Sequence, residues 1–286
     1  MVVDVFTATP LLGNPVAVVL DAEGLDTAAM QAIAGWINLS ETTFLLPPEN
    51  AGADYKLRIF TPRSELPFAG HPTLGSAHAA LEAGRVSARD GRLAQECGVG
   101  LVNLDAQGEG AARRLTLALP PAKLTPLSAS DIEELEVILG APVDREAPPT
   151  IVNVGAVWVV AQLPSAEQLL GLQPDLGRSA VFERRLGATG VTVFGPHSAG
   201  DVEIEVRSFA PSAGVNEDPV CGSGNGSVAV FRHAHGLLPP GRSRYVAAQG
   251  QCVGRAGRIE VRVSADGGVH LGGQCVTTVE GVLTAK

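Results

Sequence analysis

The sequence predicts an α+β protein built from two similar halves, and two observations support this fold class. Short runs rich in Val, Ile, Leu and Thr, bounded by Gly, Pro and Asp, outnumber the helical patterns. A set of matched motifs also recurs along the chain at a nearly constant spacing. The chain has 286 residues, of which 45% are hydrophobic, so it can bury a sizeable core.

The predicted strands fall into two groups, one in each half of the chain. The first group covers residues 2–6, 16–20, 42–46, 55–60, 98–104 and 114–119. The second group covers residues 150–161, 190–194, 202–209, 258–263 and 269–272. Helical patterns cover residues 26–36, 72–83, 130–139, 165–170 and 224–235.

The internal repeat shows how the halves correspond. The matches, in chain order, are 3–5 with 152–154, Thr43 with Thr192, 60–62 with 209–211, and 71–76 with 218–223. The first three pairs lie 149 residues apart and the last lies 147 apart. We therefore predict a first half over residues 1–120, a second half over 121–275, and a C-terminal segment over 276–286 that returns to the first half.

Each half has a Pro-containing helix start at an equivalent place. Pro72 and Pro219 suit the first helical position, where no backbone N–H is needed, and Asp218 is a favoured N-cap residue. The two helix bodies are small and apolar nearly all round, which is typical of a helix buried inside a curved sheet. Their glycines require a reason, because Gly weakens a helix by roughly 1 kcal/mol relative to Ala. Two explanations for these glycines are open: the close approach of a ligand, or the close packing of the helix on a sheet.

Composition excludes several classes of function. A net charge of −9 argues against binding to nucleic acid or to an anionic membrane surface. The longest apolar run, 151–161, is too short to span a bilayer, which takes about 20 residues.

The four cysteines lack CxxC spacing and the N-terminus lacks a signal-peptide pattern, so we expect reduced thiols, a cytoplasmic protein and no structural metal. The glycines of 222–226 do not have dinucleotide spacing, so we expect no nucleotide cofactor.

Six motifs together resemble the phenazine-biosynthesis isomerase (PhzF-like) family, which shares the diaminopimelate epimerase fold. They are Asp4-Val-Phe-Thr, Gly13-Asn-Pro-Val-Ala-Val, Asn38-Leu-Ser-Glu-Thr-Thr-Phe, Arg58-Ile-Phe-Thr-Pro, Phe68-Ala-Gly-His-Pro-Thr-Leu-Gly and Asn216-Glu-Asp-Pro-Val-Cys-Gly-Ser. The resemblance covers nearly the whole chain. It implies two pseudo-symmetric halves, each a curved mixed β-sheet or barrel around a central helix, with the active site in the cleft between them.

The resemblance also implies which residues form the site. Glu41 matches the family's acid/base glutamate, and His71 and Asp218 would orient the substrate and assist proton transfer. The substrate-binding positions are Gly70, Thr73, Cys221, Gly222 and Ser223. The N-termini of the two central helices would then hold a carboxylate of the substrate. A carboxyl group in a mostly apolar cleft has a raised pKa and can both take and return a proton.

The function expected from this reading is cofactor-independent isomerisation of a small carboxylated metabolite, with no metal, in a homodimer. One alternative is an amino-acid racemase or epimerase that uses Cys221 as a base, because a helix N-terminus lowers the pKa of a thiol. That mechanism needs a second thiol, and the repeat places Leu74 opposite Cys221. A buried, structural Cys221 is the simpler reading. The other alternative is a protein that binds such a metabolite without chemistry.

Overall fold

The computed structural model describes residues 1–238 and 243–284 and divides the chain into two compact units. Unit 1 comprises Met1–Leu117 and Gly272–Lys286, and unit 2 comprises Ala118–Leu271. Residues 285 and 286 of the predicted C-terminal segment lie outside the described residues. The strand that ends unit 2 continues into unit 1, so both units share one polypeptide strand near the C-terminus.

The elements of unit 1 are the strands β1 (Val2–Val5), β2 (Asn14–Val19), β3 (Thr42–Leu46), β4 (Tyr55–Phe60), β5 (Glu65–Leu66), β6 (Arg92–Cys97), β7 (Gly100–Gln107) and β8 (Arg114–Ala118), and the helices α1 (Thr27–Ile37) and α2 (Gly70–Glu82). Those that follow are the strands β9 (Lys123–Pro126), β10 (Thr150–Asn153), β11 (Val157–Gln162), β12 (Gly190–Pro196), β13 (Ile204–Ala210), β14 (Val215–Asp218), β15 (Arg244–Gln249), β16 (Gly257–Val263) and β17 (Val269–Val279), and the helices α3 (Ala129–Leu139), α4 (Ala166–Leu170), α5 (Leu176–Leu186) and α6 (Gly222–Ala234).

The strands of unit 1 close into an eight-stranded barrel. β1 lies antiparallel between β2 and β17, β2 is parallel to β3, and β3 is antiparallel to β4. β4 is parallel to β6, which continues antiparallel through β7 to β8, and β8 pairs with β17. Helix α2 packs against β1, β2, β3 and β4, and its ten residues from His71 to Ala80 are all buried. The predicted central helix is confirmed.

Unit 2 repeats the same alternation of strand pairings. β11 is parallel to β12, β12 is antiparallel to β13, β13 is parallel to β15, and β15 is antiparallel to β16. The register repeats as well: Phe44 pairs with Arg58, and Val193 pairs with Arg207, each 149 residues further along. Helix α6 packs against four strands of this sheet and is buried along most of its length. The predicted fold class, with two pseudo-symmetric halves, is confirmed.

The remaining helices pack on the strands through separate apolar clusters. α1 contacts β3 and β4 through a cluster that includes Met30, Phe44 and Phe60, and the two phenylalanine rings meet edge to face at 5.4 Å. In unit 2 a larger cluster joins α3, α4 and α5 to the sheet around Phe182. Each fully buried side chain of this size contributes about 1.5–3 kcal/mol.

Neither central helix begins at its proline: α2 begins two residues before Pro72 and α6 begins three residues after Pro219, so both expectations are wrong. α2 starts at Gly70, so Pro72 is its third residue, which is tolerated because the first four N–H groups of a helix have no partner within it. α6 starts at Gly222 with Cys221 as its N-cap, so Pro219 lies outside the helix and Asp218 ends β14 instead of capping α6. The predicted strand over 150–161 is two strands, which turn at Gly155 with φ of 101°.

Most glycines of the central helices allow close packing. A Cβ on Gly75 would lie 2.4 Å from Val16 Cγ1, and one on Gly226 would lie 2.2 Å from Leu119 Cδ1. Both distances are far shorter than a van der Waals contact, so packing on neighbouring residues explains these two positions. Gly70 differs, because apart from its chain neighbours and its own helix backbone no described heavy atom lies within 4 Å of the place that its Cβ would take.

Candidate active site

Glu41 is positioned by the turn between α1 and β3. α1 ends because Asn38 adopts a left-handed conformation with φ of 57°, and its N–H donates to the carbonyl of Ala34. Glu41 follows three residues after Asn38 and directly precedes β3, and its carbonyl accepts a hydrogen bond from the N–H of Ala17 in β2. Glu41 therefore lies in a turn, but its backbone is hydrogen-bonded to a strand of the barrel.

The Glu41 carboxyl group is buried beside His71. Its Oε2 lies 3.4 Å from His71 Nε2, and the two side chains are 16% and 9% exposed. This oxygen makes no hydrogen bond within the described residues. Burial raises the pKa of Glu41 above its ordinary value, and a hydrogen bond with the Ser40 side chain acts in the opposite direction. The pKa of Glu41 is thus shifted upwards, which is the direction expected for a buried carboxyl group.

His71 is held at the open end of α2. It is the second residue of the helix, and the N-cap residue Ala69 provides no side-chain hydrogen bond to the first turn. The first N–H groups of a helix have no acceptor in the preceding turn, and the start of a helix carries a positive partial charge. The space beside Gly70 lies at the same helix end. These features suit the approach of an anionic group.

Thr73 is part of a buried chain of hydrogen bonds. Its hydroxyl accepts a hydrogen bond from Gln95 Nε2 at 3.0 Å, and Gln95 Oε1 accepts one from the Tyr55 hydroxyl at 3.1 Å. Thr73 and Gln95 are 0% exposed. These contacts connect the start of α2 to β6 and β4, a link that no sequence pattern indicated.

In unit 2, Asp218 and Cys221 lie at the two ends of a short segment before α6. Asp218 Oδ1 accepts a hydrogen bond from Val220 N at 3.0 Å, so its carboxylate turns the backbone of this segment. The Cys221 sulfur accepts the N–H of Gly224 at 3.3 Å and so caps α6. A thiol therefore provides the cap that we predicted for Asp218.

The Cys221 thiol has a pKa well above its ordinary value. Burial is the main cause, the neighbouring Asp218 carboxylate adds to it, and hydrogen bonds from Gly224 and Ser223 oppose it. The expectation of a lowered pKa is wrong, because burial disfavours the thiolate more than the hydrogen bonds from Gly224 and Ser223 favour it. The surroundings of Cys221 therefore favour the thiol over the thiolate.

Ser223 is oriented by an indole group. Trp158 Nε1 donates to Ser223 Oγ at 3.0 Å, and the Cys221 sulfur lies 3.6 Å from the same oxygen. Ser223 is partly exposed, whereas its neighbour Gly222 is buried. Because Trp158 uses the hydroxyl oxygen as an acceptor, the Ser223 proton can be donated either to the Cys221 sulfur or to a ligand.

Within each unit the predicted residues are therefore close together: Glu41, His71 and Gly70 in unit 1, and Asp218, Cys221 and Ser223 in unit 2. Sequence reasoning assigned no role to Gln95, Trp158 or Gln249, although Gln249-Gly fits the family pattern, and these three residues hold the starts of the central helices. Residues 1–238 and 243–284 contain no group of three or more His, Cys, Asp or Glu side chains suited to a metal ion. Nor do they contain a helix with the length and apolar character that a membrane span requires.

A family model described as "Phenazine biosynthesis-like protein" matches residues 3–281. The chain belongs to this family. The PhzF-like resemblance inferred from the motifs is confirmed.

Similar proteins agree with this membership. Antisense-enhancing sequence 1 of Schizosaccharomyces pombe is 41% identical over 287 residues, which cover 98% of this chain and 96% of that protein. The trans-2,3-dihydro-3-hydroxyanthranilate isomerase of Pseudomonas chlororaphis is 35% identical and matches 99% of this chain and 98% of its own length. A PhzF-family crystal structure from Bacillus anthracis has the same fold, with a TM-score of 0.85 at 23% identity over 96% of this chain and 95% of that one. The protein is an isomerase or epimerase of the PhzF type.

Proposed function

We propose that this PhzF-type enzyme moves a proton on a small, carboxylate-bearing metabolite without a cofactor, and that Glu41 is its acid/base group. The observation that supports this most is the buried Glu41–His71 pair, with 3.4 Å between Oε2 and Nε2. A carboxyl group with a raised pKa is a stronger base when ionised than an exposed one. It also holds the captured proton long enough to return it to a different carbon.

His71 assists this transfer in the proposal. When Glu41 is ionised, the imidazole can donate a hydrogen bond to Oε2, and this orients the carboxylate towards the substrate. When Glu41 carries the captured proton on its other oxygen, Oε2 can still accept this hydrogen bond, so the carboxyl group keeps its orientation. The reaction needs no redox change or added group, because the proton that leaves one carbon is the proton that is returned.

The substrate carboxylate is proposed to lie at the start of α2. The open space beside Gly70 leaves room for it, and the helix N-terminus supplies N–H donors and a positive partial charge. These groups also stabilise negative charge that develops when the substrate loses its proton. The proposal assigns Asp218 to orienting the substrate and Gly222, Ser223 and Cys221 to contacting it, with the Ser223 hydroxyl as a donor. In this proposal Thr73 stabilises the start of α2 through its hydrogen bond with Gln95.

The racemase alternative has less support. It requires Cys221 as a base, but this thiol has a raised pKa and caps α6. It also requires a second base, and the repeat-related position is occupied by Leu74, which is fully buried. Binding without chemistry would not explain why a carboxyl group is buried against a histidine.

The proposed function is tested by proton NMR in D₂O with the purified protein. The probes are trans-2,3-dihydro-3-hydroxyanthranilate, the substrate named for the Pseudomonas chlororaphis relative, and a panel of free amino acids. Deuterium incorporation with migration of a double bond supports isomerisation. Incorporation with inversion at an α-carbon supports a racemase, and binding without exchange supports a binding protein.

The expectations of a cytoplasmic location and of a homodimer also remain proposals. The relevant measurements are cell fractionation with an antibody and multi-angle light scattering of the purified chain. A mass near that of one 29.4 kDa chain would contradict the homodimer.

A further inference from the structure

Gln249, the last residue of β15, is 1% exposed and uses its amide group for three hydrogen bonds. Its Oε1 accepts from Cys221 N at 3.0 Å and from Asn225 Nδ2 at 2.7 Å, and its Nε2 donates to the carbonyl oxygen of Asp218 at 2.9 Å. One side chain therefore holds the first and the last residue of the segment 218–221. The same side chain is tied to the first turns of α6 through Asn225.

Two glycines next to Gln249 bring this segment into close contact with the neighbouring backbone. Gly250 has φ of 105°, and a Cβ there would lie 2.5 Å from the carbonyl oxygen of Pro219. A Cβ on Gly257 would lie 2.4 Å from Val220 Cγ2. The segment is thus fixed at four consecutive residues, and its backbone has little freedom to adjust.

The side chains of the segment depend on this backbone. Asp218 Oδ1 accepts the N–H of Val220, so the direction of the carboxylate follows the path of the chain. The Cys221 sulfur accepts the N–H of Gly224, and Ser223 follows directly in the first turn. A shift of the segment would therefore turn the Asp218 carboxylate and move the Ser223 hydroxyl.

Unit 1 contains a corresponding glutamine. Gln95 lies in β6, which is parallel to β4, and it donates to Thr73 at the start of α2. Gln249 lies in β15, which is parallel to β13, the counterpart of β4, and it binds the start of α6. A buried glutamine from the equivalent strand thus tethers the central helix in both units, although the glutamines themselves are not in the matched motifs.

We propose that Gln249 is a positioning residue of the isomerase: it fixes the segment 218–221 so that the Asp218 carboxylate and the Ser223 hydroxyl have the orientation that the reaction requires. This inference rests on the proposed function, because it gives these two groups a role with substrate. In this proposal Gln249 itself does not contact the substrate. Misplacement of a catalytic or orienting group by about 1 Å can lower a rate by about 100-fold.

The test compares two substitutions of Gln249 with a control in the same unit. Gln249→Leu removes all three hydrogen bonds, and Gln249→Glu keeps the acceptor for Cys221 and Asn225 but removes the donor to Asp218. The control, Ser179→Ala, removes another buried hydrogen bond of unit 2, the one to Glu183 at 2.8 Å. The readouts are thermal unfolding, the rate at which iodoacetamide alkylates Cys221 as measured by peptide mass spectrometry, and kcat and KM with trans-2,3-dihydro-3-hydroxyanthranilate.

We expect Gln249→Leu to raise the alkylation rate of Cys221 by about tenfold or more, because a segment that has lost its hydrogen bonds opens more often. The value of kcat should fall by about 10- to 100-fold, and more than KM rises, because orientation in the transition state is lost. Gln249→Glu should change the alkylation rate and kcat in the same directions, but by less than Gln249→Leu does. Ser179→Ala should change neither, even at an equal loss of thermal stability.

The inference is overturned if Gln249→Leu folds and keeps the wild-type alkylation rate, or if alkylation rises while kcat is unchanged. A fall in kcat without a rise in alkylation also overturns it, since the effect would not pass through the segment. If Gln249→Leu does not fold, the same criteria apply to Gln249→Glu. If the wild-type enzyme does not convert the probe, the assignment of the substrate fails separately, and the alkylation rates alone decide whether Gln249 fixes the segment.

Discussion

Two glycines in α2 should respond in opposite ways to the same substitution. A methyl group added at Gly75 would lie 2.4 Å from Val16 Cγ1 and 2.9 Å from Val5 Cγ2, whereas one added at Gly70 meets no described atom within 4 Å. Overpacking of this kind costs about 1–3 kcal/mol. Both variants gain from the higher helix propensity of Ala, up to about 1 kcal/mol, so the difference between them reports mainly the steric cost.

The assay is thermal unfolding followed by circular dichroism, with activity measured on the same samples. We expect Gly75→Ala to unfold roughly 2–12 °C below Gly70→Ala, since about 1 kcal/mol corresponds to roughly 2–4 °C in a chain of this size. Gly70→Ala should be at least as stable as wild type and should lose activity, because its methyl group enters the space proposed for the substrate carboxylate. The reasoning is refuted if Gly70→Ala is the less stable variant, or if it is fully active.

Three further predictions concern Cys221, Trp158 and Glu41. Cys221→Ser should keep most of the activity in a kinetic assay, because a serine oxygen can still cap Gly224; a loss as large as that caused by a Glu41 variant would favour the thiol-base mechanism. Trp158→Phe removes the donor to Ser223 while keeping an aromatic ring, so KM should rise several-fold; an unchanged KM would contradict a role for Ser223 in binding. Glu41→Gln should be more stable than wild type at pH 8 in urea unfolding. The folded-state pKa of Glu41 is raised, so wild type has its full stability below the ordinary value of 4.5 and loses part of it as the pH rises through the folded-state pKa. A stability difference that does not shrink towards pH 4 would contradict this.

The repeat made the shared topology of the two units predictable from the sequence. An offset of 149 residues relates Thr43 to Thr192, and the structure pairs these residues with Ile59 and Ser208, which have the same offset. Hydrophobic patterns are strong along these strands because most of their residues are buried. Glu41 and His71 were predictable only through the family motifs, since a single carboxylate in a turn carries no pattern of its own.

Other features depend on contacts that the sequence does not reveal. α5 buries only Ser179, Phe182 and Glu183, so its apolar periodicity is too weak to predict a helix. The start of α6 depends on a sulfur cap from Cys221, although Asp218 is the more common cap residue. Gln249 is a lone polar residue at the end of a strand, and only the folded chain brings it to Asp218 and Cys221.

The central claim is that Glu41 transfers the proton, and the rate of deuterium incorporation in D₂O tests it most directly. The comparison uses wild type, Glu41→Gln and, as a matched control, Glu49→Gln, which alters a glutamate of the same unit that is 74% exposed. Gln keeps the size of Glu but cannot accept a proton from carbon. We predict that Glu41→Gln binds the probe and folds normally but incorporates deuterium about 10²- to 10⁴-fold more slowly, while Glu49→Gln matches wild type. Retention of more than about a tenth of the wild-type rate by Glu41→Gln would contradict the account, because a general acid/base group contributes more than that.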